Sequence, residues 1–424
     1  MSEDLLQFIW LHRLYASQTV LTTTDGDNVM VLHPGKLNVN AGPDFLEAKL
    51  KIGATLWAGN IEIHLRSSDW KKHEHQQNPA YSKLIMHVVY EHDAEIETCG
   101  NTHFPTLELK PHIDFKLLRK YENLMDAKQF IPCEDLIHQV NELTLHQQMT
   151  RMLAERLEEK TQSIMQLLSK YQNNWQEVFY VQLARGFGLH INQDAFERLA
   201  IQTPLSMLAK HKNNLLQIEA LFFGQAGFLF DYFDEAYPML LQKEYEYLQK
   251  LHSLQPMEKH LWKFLRLRPA NFPTLRIAQF ARLIVDSNHL FSKVLEAKTL
   301  KEIENLFHVG LSDYWLHHYN FQEKSIQRNK SLGKSFIQTL IINVIIPILF
   351  IYGKLQGKAV HCEKAIQFLE ELPPEKNSLI NSWYAAGIHA ESAADTQGLI
   401  QLKKKYCDAK RCLECGIGYA VMRK

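Results

Sequence analysis

The chain has 424 residues, of which 46% are hydrophobic and 22% are charged, the balance of a globular protein rather than a disordered or fibrous one. Its 47 basic and 47 acidic residues cancel, so the overall charge does not mark a nucleic-acid binder. A chain of this length predicts two or three domains.

The sequence does not show the features of secreted or membrane-bound proteins. Its start, MSEDLLQFIW, carries acids at Glu3 and Asp4 and no basic region followed by an apolar one, so no signal peptide is predicted. The apolar run at residues 336–352 is interrupted by polar residues and is shorter than the ~20 residues of a membrane span, which predicts a buried helix. Six cysteines without a secretion signal indicate a reducing compartment. We therefore predict a cytoplasmic protein with no membrane partner.

The first ~125 residues show the periodicities of a mixed α/β unit. Alternating apolar residues indicate strands, and apolar residues at helical spacing indicate helices. A continuous apolar run indicates a strand that is buried on both faces. These patterns predict an amphipathic helix at 3–16, strands at 29–32, 44–52 and 56–65, a short helix after Asn78-Pro79, and a central strand at 84–90.

Beyond residue 125 the pattern changes to long helical periodicities with few strand signals. The predicted fold class is therefore α+β. Residues 1–125 are expected to form a mixed β-sheet with flanking helices. Residues 126–424 are expected to form a large, mostly α-helical domain that ends in a tail with several cysteines.

A set of polar residues on the predicted hairpin could carry chemistry. Asp44 lies at the beginning of one strand, and Glu62 lies on the next strand with its side chain on the same face as His64. Two carboxylates from neighbouring strands supply the oxygen ligands that Mg²⁺ or Mn²⁺ prefers. Arg66 shares that face and would hold a phosphate next to the ion. These four residues are the candidate catalytic residues.

These residues also carry a resemblance to a known superfamily. Pro43-Asp44, followed after a hairpin by Glu62-Ile63-His64, resembles the PD-(D/E)XK restriction-endonuclease-like superfamily, and the predicted element order resembles its core. The resemblance implies a metal-dependent nuclease that hydrolyses phosphodiester bonds of nucleic acid. It also implies that Asp44, Glu62 and the Ile63 carbonyl are metal ligands, with His64 in the position where lysine is usual.

A second resemblance covers essentially the whole chain. Several segments are similar to a bacterial protein family of unknown function, which brings no known activity with it. The segments that carry the likeness are NAGPDFLEAKL, GNIEIHLRSSDW, EALFFGQAGFL and RLRPANFPTLR.

Two alternatives to a nuclease remain open. A neutral imidazole at His64 does not supply the fixed charge of a lysine, as expected of an interaction or scaffold protein that keeps the fold without catalysis. A purely structural interpretation of the two acids is that Asp44 caps a turn after Pro43 and Glu62 pairs with Lys49 or Lys51 across the hairpin. The other alternative is a histidine-dependent metal hydrolase, in which His73 and His75 bind zinc or another transition metal together with His64 or Glu62.

The C-terminal tail contains a second candidate metal site. Cys407, Cys412 and Cys415 have the spacing C-x4-C-x2-C, which can wrap one soft metal ion. A closed site needs a fourth ligand, for which the candidates are Cys133, Cys362 and His361. The tail is thus predicted to hold zinc or an iron–sulfur cluster. Some nucleases of the superfamily named above carry an iron–sulfur cluster on one distant cysteine and three near the C-terminus.

Overall fold

The computed structural model describes residues 1–16, 20–75, 78–96 and 104–424. It has an N-terminal mixed β-sheet with helices, followed by a large helical region, which confirms the α+β class. The chain forms two compact units. Unit 1 comprises Met1–Thr150, Ala385–Gly387 and Ile400–Lys424, and unit 2 comprises Arg151–Tyr384 and Ile388–Leu399.

The units differ from the two ranges expected from the sequence. Residues 126–150 lie with the sheet rather than with the helical unit. Residues 400–424 also belong to unit 1, so the cysteine tail and the predicted hairpin are parts of the same unit. Sequence periodicity reports only local structure, and the return of the tail to the sheet is a tertiary contact.

The sheet of unit 1 has the strand order β1-β2-β4-β5-β6-β7, with β3 paired to β4. The pairs from β1 to β5 are antiparallel, and β5, β6 and β7 are parallel. The strands are β1 Leu21–Thr22, β2 Asn28–His33, β3 Lys36–Leu37, β4 Phe45–Ile52, β5 Thr55–Arg66, β6 Leu84–Glu91 and β7 Thr106–Glu108.

The predicted hairpin is the strand pair β4–β5, and the predicted central strand is β6. Val88 of β6 and Ile63 of β5 are register partners in the hydrophobic core beneath the sheet. In the neighbouring register pair, Glu62 lies opposite His87. Side chains alternate along a strand, so Glu62, His64 and His87 share one face of the sheet.

The opening helix is shorter than predicted. Helix α1 spans Glu3–His12 rather than 3–16, because Arg13 adopts a left-handed conformation with φ of 52°. Its N–H then bonds the carbonyls of Ile9 and Trp10 and closes the last turn. Ser2 caps the other end through a hydrogen bond from the N–H of Leu5. The apolar residue Leu14 has helical spacing but lies beyond this stop.

Helices make up most of the remaining chain, and unit 2 packs around one large apolar core. Phe280 lies within this core, and its ring centroid is 5.0 Å from that of Phe187 and 5.3 Å from that of Phe222. The α-helices are α2 Asp69–Lys72, α3 Phe115–Asp126, α4 Glu142–Lys170, α5 Trp175–Phe187, α6 Gln193–Gln202, α7 Leu205–His211, α8 Leu215–Gln225, α9 Ala236–His252, α10 Pro273–Asp286, α11 Leu290–Glu296, α12 Leu300–Asn305, α13 Asp313–His317, α14 Lys334–Leu340, α15 Ile346–Leu355, α16 Ala359–Glu371, α17 Ser378–Ala385, α18 Ala393–Leu402 and α19 Gly416–Arg423. A small hairpin of unit 2 joins β8 His318–Asn320 and β9 Glu323–Lys324.

The long apolar run predicted as a buried helix is one helix in the structure. α14 and α15 join through a π-helical turn at Ile341–Ile345, so the helix runs over Lys334–Leu355. Within the described residues it alone is long and apolar enough to cross a membrane, and 72% of its most apolar window is buried. Such burial is typical of a core helix.

The end of the chain packs against its beginning within unit 1. The ring of Tyr419 on α19 lies 6.0 Å from that of Phe8 and 4.4 Å from that of His12, both on α1. Helix α19 therefore extends the packing of the sheet unit.

Candidate functional site

Asp44 and Glu62 meet at the point where β4 begins beside β5. The backbone N–H of Asp44 donates to Oε2 of Glu62 at 3.1 Å. Oδ2 of Asp44 accepts a hydrogen bond of 2.9 Å from the N–H of Ile63. Each carboxylate is thus fixed by the other strand, and the two acidic side chains predicted from the hairpin are neighbours.

Three imidazoles lie next to these carboxylates. Ligating nitrogens of His64, His73 and His75 all lie within 4.8 Å of one another. Nε2 of His75 is 3.2 Å from Oε1 of Glu62, and Nε2 of His64 is 3.6 Å from the same oxygen. His64 also contacts His87 of β6, with Nδ1 and Nε2 2.8 Å apart. We call Glu62, His64, His73 and His75 the histidine cluster.

Burial shifts the pKa values of the carboxyl groups and of His64. It raises the pKa of Glu62 to about 9, and the charge of Asp44 adds to this shift. Burial also raises the pKa of Asp44, to about 6. The same cause lowers the pKa of His64 to about 3, so its imidazole is neutral, which is the form that binds metal ions.

The donor set of the cluster suits a metal ion. Nε2 of His75 is buried and makes no hydrogen bond with any of the described residues, despite its closeness to Glu62. Buried polar atoms normally have a hydrogen-bond partner. A metal ion bound to Nε2 of His75 would take the place of that partner. Each ring nitrogen of His64 contacts another histidine: Nδ1 lies 2.8 Å from Nε2 of His87, and Nε2 lies 3.1 Å from Nδ1 of His73. His87 would orient the ring by accepting the Nδ1 proton, and a metal ion at Nε2 would replace the hydrogen bond with His73.

Two residues of α1 that the sequence analysis did not single out also belong here. Nε2 of Gln7 donates to Oδ1 of Asp44 at 2.9 Å. Glu3 lies near enough for its charge to raise the pKa values of Asp44 and Glu62. The sequence signal for these residues was their spacing: Glu3 and Gln7 are four residues apart and thus share one face of α1. Most other positions of this helix are apolar and buried.

Other predicted residues lie elsewhere. Arg66 is exposed at the end of β5. Its charge makes a minor contribution to the lowered pKa values of Glu91 and Asp93, which depend mainly on hydrogen bonds from Lys110 and Ser68. Within the described residues no hydrogen bond or ion pair joins its side chain to Asp44 or Glu62. Likewise, no ion pair within the described chain links Glu62 to the exposed Lys49 or Lys51; the side chain of Glu62 faces histidines instead.

The four predicted cysteines come together in unit 1. Cys133, Cys407, Cys412 and Cys415 line one small cavity of about 20 Å³. Of the other candidates for the fourth ligand, Cys362 and His361 lie in unit 2, where the thiol of Cys362 donates to the carbonyl of Phe350. None of the five cysteines in the described part of the chain forms a disulfide.

Local backbone structure brings the tail cysteines together. A 3₁₀ turn at Cys412–Glu414 lets the N–H of Cys415 donate to the carbonyl of Cys412 at 3.3 Å, and Cys415 then caps α19. Gly418 is required in the first turn of α19. A Cβ at this position would lie 2.0 Å from the carbonyl oxygen of Cys412.

Burial controls the acidity of these thiols. It raises the pKa of Cys133 to about 12 and that of Cys412 to about 11, with further increases from the neighbouring thiols. The sequence suggests that Lys410 and Arg411 favour the thiolates. In the structure the desolvation of Cys412 outweighs the lowering of its pKa by Lys410. The neighbouring thiols therefore lie close enough to influence one another electrostatically.

The fold and its two side-chain clusters define an α+β protein with two candidate metal sites. The chain belongs to the family described as protein of unknown function (DUF2851), whose family model matches residues 3–378. The predicted likeness to a family of unknown function is thereby confirmed. Comparisons with curated proteins and with solved structures find no match.

Proposed function

We propose that the chain is a metal-dependent hydrolase whose centre is the histidine cluster of unit 1. The convergence of His64, His73 and His75 within 4.8 Å carries this proposal, together with the 3.2 Å approach of Glu62 to His75. Three imidazoles and one carboxylate are a common donor set for transition-metal ions in enzymes.

The residues around the ion would have distinct tasks. Glu62 would bind through Oε1, since Oε2 already accepts the N–H of Asp44. His64 would bind through Nε2, with His87 fixing its ring. When bound, the metal ion supplies Lewis-acid polarisation of the scissile bond and of the attacking water. His73 is exposed, so the centre opens to solvent on its side.

For the substrate we propose a phosphodiester of nucleic acid. The support is the resemblance of Pro43-Asp44 and Glu62-Ile63-His64 to the PD-(D/E)XK superfamily, together with the contact between Asp44 and Glu62. Mg²⁺ or Mn²⁺ would use the carboxylate oxygens. The nitrogen-rich cluster favours Mn²⁺ or Zn²⁺ over Mg²⁺, which prefers oxygen ligands.

The first experiment is metal analysis of the purified protein, followed by cleavage assays with labelled DNA and RNA in Mn²⁺ or Zn²⁺. We expect metal retention by the parent chain and its loss in the double variant His73→Ala/His75→Ala. The matched control is His138→Ala/His146→Ala, which removes two exposed histidines of unit 1 outside the cluster.

The outcomes separate the alternatives. Metal retention with cleavage that requires Glu62 supports a nuclease. Metal retention without nucleic-acid cleavage supports a hydrolase of another substrate. A protein that binds no metal, and whose melting temperature is unaffected by added Mn²⁺ or Zn²⁺, is the interaction or scaffold protein, and the hydrolase proposal then fails.

We also propose that the four cysteines bind one zinc ion that anchors the tail. A cavity of about 20 Å³ has room for about one atom-sized guest, which favours a single ion over an iron–sulfur cluster. Zinc would link the tail to Cys133 within unit 1. This role is structural rather than catalytic. A colourless protein with one zinc retained per chain supports this assignment, and visible absorption from iron and sulfide contradicts it.

A further inference from the structure

A cavity of unit 2 is lined by cationic side chains. Its volume is about 490 Å³, within the range of small-molecule sites. Among the described residues that line it, none is acidic. Its cationic lining residues are Arg276, Arg328 and Lys330.

Arg276 is the most unusual of these residues, because it is a buried cation without a counter-ion. Its relative exposure is 5%, and no carboxylate of the described chain lies within ion-pair distance of it. Two of its nitrogens donate to the side-chain oxygens of Gln279 and Asn271, at 2.8 and 2.6 Å. Its Nε has no partner among the described residues. A buried, incompletely satisfied charge is costly unless an anion completes its environment.

Lys330 is a second buried cation of the lining, and its carbonyl accepts a hydrogen bond of 2.7 Å from the same Gln279 that contacts Arg276. Its exposure is also 5%, and its ammonium donates to the carbonyl of His318 and to Oγ of Ser325, each at 2.9 Å. The ammonium lies 3.8 Å from the ring centroid of Tyr319. Its pKa is lowered by burial and by the positive charge of Arg328, with no acidic group opposing these effects. The cations therefore repel one another.

Two further features of the cavity indicate which class of ligand it would bind. The hydroxyl-bearing residues Ser331 and Ser335 line the same cavity, and hydroxyls beside arginine and lysine are typical partners of phosphate oxygens. Phe336 and Tyr319 add aromatic surface, with the Arg276 guanidinium 3.4 Å from the Phe336 ring centroid. The cavity is much larger than a lone phosphate, so it has room for an organic group.

We propose that this cavity of unit 2 binds a phosphorylated small organic molecule, whose phosphate group contacts Arg276, Arg328 and Lys330. The site lies in unit 2 and does not depend on the hydrolase proposed for unit 1. Charge, hydroxyl donors and volume all point to this class of ligand.

The test is calorimetric titration of the full chain with ribose 5-phosphate, AMP and inorganic phosphate, against potassium chloride at equal ionic strength. We expect the two organic phosphates to bind and inorganic phosphate to bind more weakly. Arg328→Gln removes an exposed cation of the lining and is expected to weaken binding about tenfold. Lys301→Gln is the matched control, because Lys301 is an exposed cation of α12 that does not line the cavity.

Arg276→Lys is a second variant, which keeps the positive charge but loses the planar guanidinium group that can donate two parallel hydrogen bonds to a phosphate. A binding loss in Arg328→Gln and Arg276→Lys, with Lys301→Gln unchanged, supports the proposal. Absence of organic-phosphate binding overturns it, as does equal affinity of Arg328→Gln and Lys301→Gln. Binding of inorganic phosphate alone, or of an oligonucleotide alone, also overturns the ligand class.

Discussion

The buried carboxyl group of Glu219 on α8 makes the stability of unit 2 depend on pH. Glu219 is 2% exposed, and its Oε2 accepts a hydrogen bond of 2.6 Å from the hydroxyl of Tyr237. Burial raises its pKa from 4.5 to about 7, although the charge of Arg282 opposes this shift. Between these two values the folded protein binds one proton more than the unfolded chain, so the free energy of unfolding falls as pH rises.

The size of this effect follows from the two pKa values. From about pH 5 to about pH 8.5 the ionisation of Glu219 removes about 2.5 kcal/mol from the free energy of unfolding. Glu219→Gln keeps an oxygen for Tyr237 and abolishes this titration. In urea unfolding, the variant is therefore expected to gain about 2.5 kcal/mol relative to the parent over that pH interval. An identical pH dependence of parent and variant would refute the reasoning.

Three further predictions concern the metal sites and the core. Glu62→Gln is expected to weaken Mn²⁺ or Zn²⁺ binding by at least about 100-fold in a calorimetric titration, whereas the control Glu47→Gln, an exposed residue of β4, leaves binding unchanged. Cys133→Ser is expected to lose stoichiometric zinc and to have a melting temperature about 10 °C below that of the parent. Zinc retained by this variant would mean that the ion binds elsewhere, and Cys362→Ser is the control. Phe280→Ala is expected to cost about 3–5 kcal/mol in urea unfolding because its buried ring fills the centre of unit 2, and a cost below about 1 kcal/mol would contradict this packing.

The strands that position the candidate site were predictable because their patterns are local. Alternation along β5 and the apolar run of β6 follow directly from burial on one or both faces of a sheet. The three-residue strand β7 carries too little pattern to be recognised. The end of α1 was missed, since the left-handed turn at Arg13 uses a residue type that gives no stop signal.

The sequence indicated some of the residues that the structure brings together at the candidate site and missed others. Asp44 and Glu62 followed from hairpin geometry, and His73 and His75 from their spacing. Gln7 was missed because its partner Asp44 lies 37 residues away, a contact that only tertiary packing creates. Arg66 and His64 are two residues apart on β5, which predicts that their side chains lie on the same face of the sheet. Arg66 lies at the end of the strand, however, and its side chain is exposed to solvent rather than placed in the histidine cluster.

The discontinuity of unit 1 constrains the order in which the chain can fold during synthesis. Residues 1–150 leave the ribosome first, but the last 25 residues of their unit follow only after all of unit 2 has been made. Until then the surface of α1 that receives Tyr419 is uncovered, and Cys133 lacks its companions. A chain that ended near residue 400 would therefore keep this apolar surface of α1 uncovered and leave Cys133 without the tail cysteines.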